Sequence, residues 1–132
     1  MDSPRLADKD RFQFAIARCF YHKGSYEQAI LEYRTLIDNF PNSDLVSEAW
    51  YQIGNCYFVM NNCDKAINQY NKTLENFPGT KRRNDILFSV GVCLEEKEEY
   101  GQALQNYREI KDGYGNKALV ERKINAVLAR MK

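Results

Sequence analysis

The chain has 132 residues, 44% of them hydrophobic and 28% charged, a composition that supports one folded domain and excludes disorder. Its 19 basic and 18 acidic residues leave a net charge of +1, so no whole-molecule field favours nucleic acid or an anionic membrane. Three prolines and seven glycines are few for an all-β fold, and no apolar run is long enough to span a bilayer.

The N-terminal stretch "MDSPRLADKDRF" lacks an apolar segment, so no signal peptide is expected in this chain. From about residue 11 the sequence reads as helix pairs. The first pair breaks at "KGSY", 23–26, and ends at Phe40-Pro41. Residues 44–60 follow, with Leu45, Ala49, Trp50, Ile53, Tyr57 and Met60 at three- and four-residue steps, the stripe of an amphipathic helix. "NNCD" supplies a turn, with Cys63 inside it, and residues 64–76 resume the stripe through Ala66, Ile67, Tyr70, Thr73, Leu74 and Phe77. Pro41 and Pro78 end second helices, because the residue before a proline is pushed out of the helical region. Ser43 and Thr80 are the expected N-caps of the helices that follow. The third pair turns at "KEEY", 97–100, and "GYGN" stands in for the proline. Asn116 is the expected cap of a last helix, 117–131, with Ala118, Ile124, Val127, Leu128 and Met131 on one stripe.

These segments recur at a fixed interval of 37 residues. Ala29, Ala66 and Ala103 keep it, as do Tyr33, Tyr70 and Tyr107, and Phe40, Phe77 and Tyr114. Ala17, Gly54 and Gly91 share one place, and Cys19, Cys56 and Cys93 share another. A residue needed once for chemistry has no reason to appear in every unit. A small apolar residue packing helix on helix does, and unpaired cysteine behaves as one. These cysteines are therefore expected in the core. No C-x-x-C pair exists and His22 is the one histidine, so neither a metal nor a cofactor is expected. His22 has no evident Ser, Cys or Asp partner for general-base work, and no catalytic residue is expected.

The motif "WYQIGNCY" (Trp50, Ile53, Gly54, Tyr57), followed by Ala66, Tyr70 and Pro78, resembles the tetratricopeptide repeat. The resemblance covers the chain after about residue 11. It departs at Gln13 and Leu87, which stand for the tryptophan, at Ala17 for the glycine and at Gly115 for the proline. It implies an all-α fold, an α-α superhelix forming one domain over 1–132, with repeats at about 11–43, 44–80 and 81–116 and a capping helix at about 117–131. Typical repeats of this family are about 34 residues long. The additional residues follow the proline and are expected to lengthen the next first helix by about one turn of 3.6 residues. In that respect the repeats are similar to those of the periplasmic Tol–Pal coordinator and outer-membrane assembly lipoprotein families.

In such arrays the first helices line a concave groove. Projected onto this chain, the groove takes Arg11, Phe14, Arg18 and Tyr21, then Glu48, Tyr51, Asn55 and Phe58, then Asp85, Phe88, Val92 and Glu95. The partner-binding residues expected from it are Phe14, Arg18, Tyr21, Tyr51, Asn55, Phe58, Phe88 and Val92. Phe14, Tyr51 and Phe88 stand one period apart and are expected to be spare from packing within a unit, whose core has Trp50, Tyr57, Tyr70 and Phe77. Aromatic anchors of this kind hold an extended peptide or an amphipathic helix. The asparagine amide pairs with a peptide backbone in either direction. Family members that clamp the carboxylate tail of heat-shock chaperones need cations where this chain has Phe14, Arg18, Gln52, Asp85 and Ser89, so that mode is not expected.

The implied function is a non-catalytic scaffold binding a protein or peptide, with bacterial envelope assembly or division as its setting. Self-assembly into a homo-oligomer through exposed array ends, near Phe12 and Phe14, is the alternative. Nucleic acid and direct membrane insertion are not expected. Unpaired cysteines point to a reducing compartment and the repeat style to the periplasm or cell envelope; the envelope is the expectation and the cytoplasm the alternative. "KRRND", 81–85, reads as solvated charge or as contact with a local acidic partner.

Overall fold

The computed structural model describes residues 6–132; Met1–Arg5, on which part of the signal-peptide reading falls, lie outside the described residues. Among these, seven helices and no strand are present: α1 Leu6–His22, α2 Tyr26–Asn39, α3 Val46–Val59, α4 Cys63–Asn76, α5 Arg83–Glu96, α6 Tyr100–Ile110 and α7 Lys117–Arg130. The chain divides into two compact units, with the boundary between Gln69 and Tyr70 inside α4.

In the first unit α2 packs against α1 on one side and α3 on the other. Ala17, Ala29, Tyr33, Leu36, Ala49, Cys56 and Ala66 are fully buried. In the second unit α6 lies between α5 and α7, around buried Ile86, Cys93, Ala103, Tyr107, Val120 and Val127. Burial of each large apolar side chain contributes about 1.5–3 kcal/mol, and the alanines and Gly91 let the backbones approach. A Cβ added at Gly91 would stand 2.7 Å from Cε1 of the buried Tyr107 ring.

One turn is built three times. Lys23, Met60 and Lys97 close the first helices, and the next residue in each takes positive φ: Gly24 at 80°, Asn61 at 60° and Glu98 at 62°. The amides of Gly24, Asn61 and Glu98 donate to the carbonyls of Tyr21, Phe58 and Glu95. Those of Ser25, Asn62 and Glu99 reach back to Phe20, Tyr57 and Leu94. This is the double closure of a Schellman cap, which satisfies carbonyls that the helix end leaves free. The turn needs no residue beyond these, so Cys63 lies outside it as the first residue of α4.

The links that follow the second helices also match. The Phe40 and Phe77 amides donate to Leu36 and Thr73, and the Ser43 and Thr80 amides donate back to Phe40 and Phe77. The hydroxyls of Ser43 and Thr80 accept from the amides of Leu45 and Arg82, both at 3.1 Å. Ser43 and Thr80 therefore brace the turn, and the helix N-caps are Leu45 and Arg82. The additional residues of the 37-residue period are spent in these turns, and α3 and α5 begin only at Val46 and Arg83. At the last helix the reading from sequence holds: the Asn116 side chain accepts from the Leu119 amide at 3.0 Å.

Candidate peptide-binding faces

Within each pair an amide side chain ties the first helix to the second at one equivalent place. Gln13 donates to the Glu32 carbonyl at 2.9 Å, Gln69 to that of Trp50 at 3.4 Å, and Asn106 to that of Leu87 at 3.3 Å. The donor sits on the first helix only where glutamine replaces the bulky residue. These ties leave one side of each first helix uncovered by its own partner helix.

In the first unit that side carries Phe14, Arg18 and Tyr21 from α1 and Glu48, Tyr51, Asn55 and Phe58 from α3. Phe14, Tyr21, Tyr51, Asn55 and Phe58 are half-buried, whereas Arg18 is exposed. Along α3, Asn55 donates to Gln52 at 3.2 Å and Gln52 to Glu48 at 3.1 Å, a polar chain at helical spacing. Tyr21 meets the Tyr26 ring edge-on at 5.3 Å and lies among Cys56 and Tyr51 as well. Burial first, then these neighbours, push its hydroxyl pKa up. Beneath lies Tyr33, fully buried, with its hydroxyl near Arg18, Tyr21, Glu48 and Cys56. That hydroxyl finds no hydrogen-bond partner among the described residues.

In the second unit the corresponding side carries Phe88 and Val92 from α5. Val92 lines a cavity of about 480 Å³ with Glu95, Glu96, Glu98, Tyr100, Lys123 and Arg130. Glu95 organises this cavity: it accepts from the Tyr107 hydroxyl at 2.8 Å and stands 3.6 Å from the Lys123 ammonium. Arg130 donates to the Tyr100 hydroxyl at 3.2 Å. The Lys123 and Arg130 walls come from α7, which follows the three repeats, so spacing within the repeats did not point to them. The cations of "KRRND" are largely paired, Arg82 with Asp85 at 3.6 Å and Arg83 with Glu109.

Three expectations need correction. Phe14 packs edge-on against Tyr33 at 5.5 Å, and Phe88 stacks on Tyr114 at 5.0 Å while tilting toward Tyr107 at 5.8 Å. Both rings thus help hold their own helix pair, because the tyrosine beneath each is too large for small residues alone to cover. Of the aromatics assigned to the core, Tyr70 is fully buried, but Trp50, Tyr57 and Phe77 are half-buried. Cys56 and Cys93 are fully buried, whereas Cys19 is exposed. The site equivalent to Cys19 is covered on α3 by α2, and among the described residues no helix precedes α1. No group of three or more His, Cys, Asp or Glu side chains among the described residues is placed to hold a metal. No helix among them is long and apolar enough to cross a membrane.

The tetratricopeptide repeat family model matches residues 12–43 and 48–80. No curated protein matches the chain. Among solved structures, the Yersinia enterocolitica type III secretion chaperone SycD, in complex with a peptide of the translocator YopD, superposes with a TM-score of 0.78 at 20% identity, covering 95% of this chain and 96% of that one. PcrH in complex with the chaperone-binding region of PopD gives 0.78 at 14% identity, with both chains covered completely. Pseudomonas aeruginosa pilF gives 0.71 at 21% identity, covering 96% of this chain and 56% of that one. At such identities the likeness is one of fold, and these matches lend no support to the narrower resemblance to the Tol–Pal coordinator. The repeated helix pairs, their shared Schellman turns and the two matched segments together make this chain a member of the tetratricopeptide repeat family.

Proposed function

We propose that the chain is a non-catalytic scaffold that binds a peptide or a segment of another protein on its first-helix faces, with its three repeats and final helix serving as one functional domain. The observation that carries this reading is the half-exposed cluster of Tyr21, Tyr51 and Phe58 beside Arg18 and the Glu48–Gln52–Asn55 chain. Aromatic area next to adaptable amides suits an extended backbone. Phe14, Phe88 and Val92 contribute with the part of their surface left over from packing. Two of the fold neighbours are solved with a bound segment, a peptide of the translocator YopD in one and the chaperone-binding region of PopD in the other, which supports the same use of the fold. The 37-residue period supports the finer reading that the setting is bacterial envelope assembly or division, which fractionation of native cells checks.

Peptides selected on this chain from a random display library provide the probe. Tyr51→Ala is expected to weaken them by about tenfold or more, the cost of losing an anchor, with the thermal midpoint nearly unchanged. Unaltered affinity in both Tyr51→Ala and Phe88→Ala would remove the assignment.

One observation favours a second reading, self-association. Phe12 and Ile16 are 57% and 45% exposed, and with Cys19 they repeat the places of Ala49, Ile53 and Cys56, which are buried on α3. A helix packed there from a second copy would cover them. Sedimentation over a concentration series separates the two readings, since a strictly monomeric chain eliminates this one.

A further inference from the structure

The repeat supplies its own standard for which positions should be polar, and the first unit breaks it at Leu31 and Met60. Leu31 occupies the place of Asn68 and Gln105, and Met60 that of Lys23 and Lys97. Leu31 is 56% exposed. Both line a cavity of about 520 Å³ whose other walls are Glu27, Ile30 and Arg34 of α2, Tyr57 of α3, Asn62 and Lys65. A second depression, over Gly24–Gln28, shares Glu27 and Met60 with the first and so extends it. Apolar side chains have thus replaced amides and lysines where the surface is concave.

The charges around this cavity are uneven. Arg34 donates to the Tyr57 hydroxyl at 3.0 Å, and the Lys65 ammonium lies 5.8 Å from the centre of the same ring. Two cations therefore converge on one tyrosine, and neither has a carboxylate partner among the described residues. Glu27 lies seven residues before Arg34 on α2, about 10 Å away at 1.5 Å per residue.

We propose that the cavity between Leu31 and Met60 is a second docking site, distinct from the first-helix faces, for an acidic segment of another protein that inserts an apolar side chain. The apolar anchor fills the space over Ile30, Leu31 and Met60. A carboxylate of the segment sits at Arg34 and Lys65, where it meets two like charges and relieves their repulsion. Glu27 takes a donor or a cation at the other end, which fixes the direction of the segment.

The test uses residues that the fold already accepts at equivalent places. Leu31→Asn with Met60→Lys reproduces the repeat's own chemistry and is expected to keep the helical signal and thermal midpoint. Peptides from a random display library, selected on the natural chain and counter-selected on this double variant, should pair an apolar residue with Asp or Glu. They should lose about tenfold or more in affinity to the double variant and keep their affinity for Tyr51→Ala. The charge reversals Arg34→Glu and Lys65→Glu should weaken them likewise, which keeps the question decidable if the double variant folds poorly. The proposal is overturned if counter-selection leaves no peptides, if the survivors are basic, or if only Tyr51→Ala weakens them. The last result leaves the first-helix face intact while removing this one. A natural chain that dimerises, with the dimer lost in the double variant, also overturns it, because the occupant is then a second copy.

Discussion

Two tyrosines at equivalent places have opposite hydrogen-bond fates, and the difference is one residue. Tyr107 donates to Glu95, whereas Tyr33, with Tyr21 at the place of Glu95, has no partner among the described residues. Tyr107→Phe is expected to cost about 1.5–3 kcal/mol, since it removes a bond to a charged acceptor. Tyr33→Phe is expected to be neutral or stabilising by up to about 1 kcal/mol, because it removes a buried hydroxyl with nothing to donate to. Urea denaturation of both variants checks the pair; equal losses would mean that the Tyr33 hydroxyl is satisfied in solution. The thiols divide similarly. Burial pushes the Cys56 pKa up to about 12, so it stays protonated and enclosed. A thiol-specific reagent should modify exposed Cys19 first, while Cys56 reacts only on unfolding. Sequence periodicity made three cysteines look alike, because it reports position within a unit and is blind to whether a neighbour covers that unit.

At the scale of elements, much was legible from punctuation. Pro41 and Pro78, the capping Asn116 and the stripes of 44–60 and 64–76 placed helices to within two residues of where they stand, because each signal is local and steric. The links were misread for an equally local reason. A hydroxyl two residues before a helix can brace the preceding turn as readily as cap the helix, and Ser43 and Thr80 do the former. The left-handed positions Gly24, Asn61 and Glu98 expose a strain that spacing alone did not suggest. A non-glycine residue there costs about 1–2 kcal/mol, less so for asparagine. Glu98→Gly is therefore expected to stabilise the second unit by about 0.5–1 kcal/mol, after the entropy that glycine loses on folding. A rise in the thermal midpoint checks it, and an unchanged or lower midpoint would show that Glu98 gains more from its side chain at the Val92 cavity than the backbone loses.

For the whole molecule, the repeated tyrosine and cysteine places couple folding to alkaline pH. Burial raises the pKa values of Tyr33, Cys56 and Tyr107 above their ordinary values of 10.0, 9.0 and 10.0, with the Glu95 carboxylate adding to the effect at Tyr107. Each group holds its proton longer in the folded chain than in the unfolded one. The stability this confers is complete below about pH 9 and is lost as pH rises, because the unfolded chain is then the one that releases protons. For Cys56 alone the loss at pH 10.5 is on the order of 2 kcal/mol, from 1.5 pH units above the unfolded thiol value. Urea midpoints measured between pH 7 and pH 11 should be level at first and fall steeply above about 9. Cys56→Ala, though less stable at neutral pH through its lost contacts, should show a shallower fall because one of the linked protons is gone. If the natural chain and this variant fell with the same slope, the buried thiol would not be coupled to folding. The same variant would then place the alkaline loss on the tyrosines, among them Tyr33 and Tyr107, which the 37-residue period puts beneath Phe14 and Phe88.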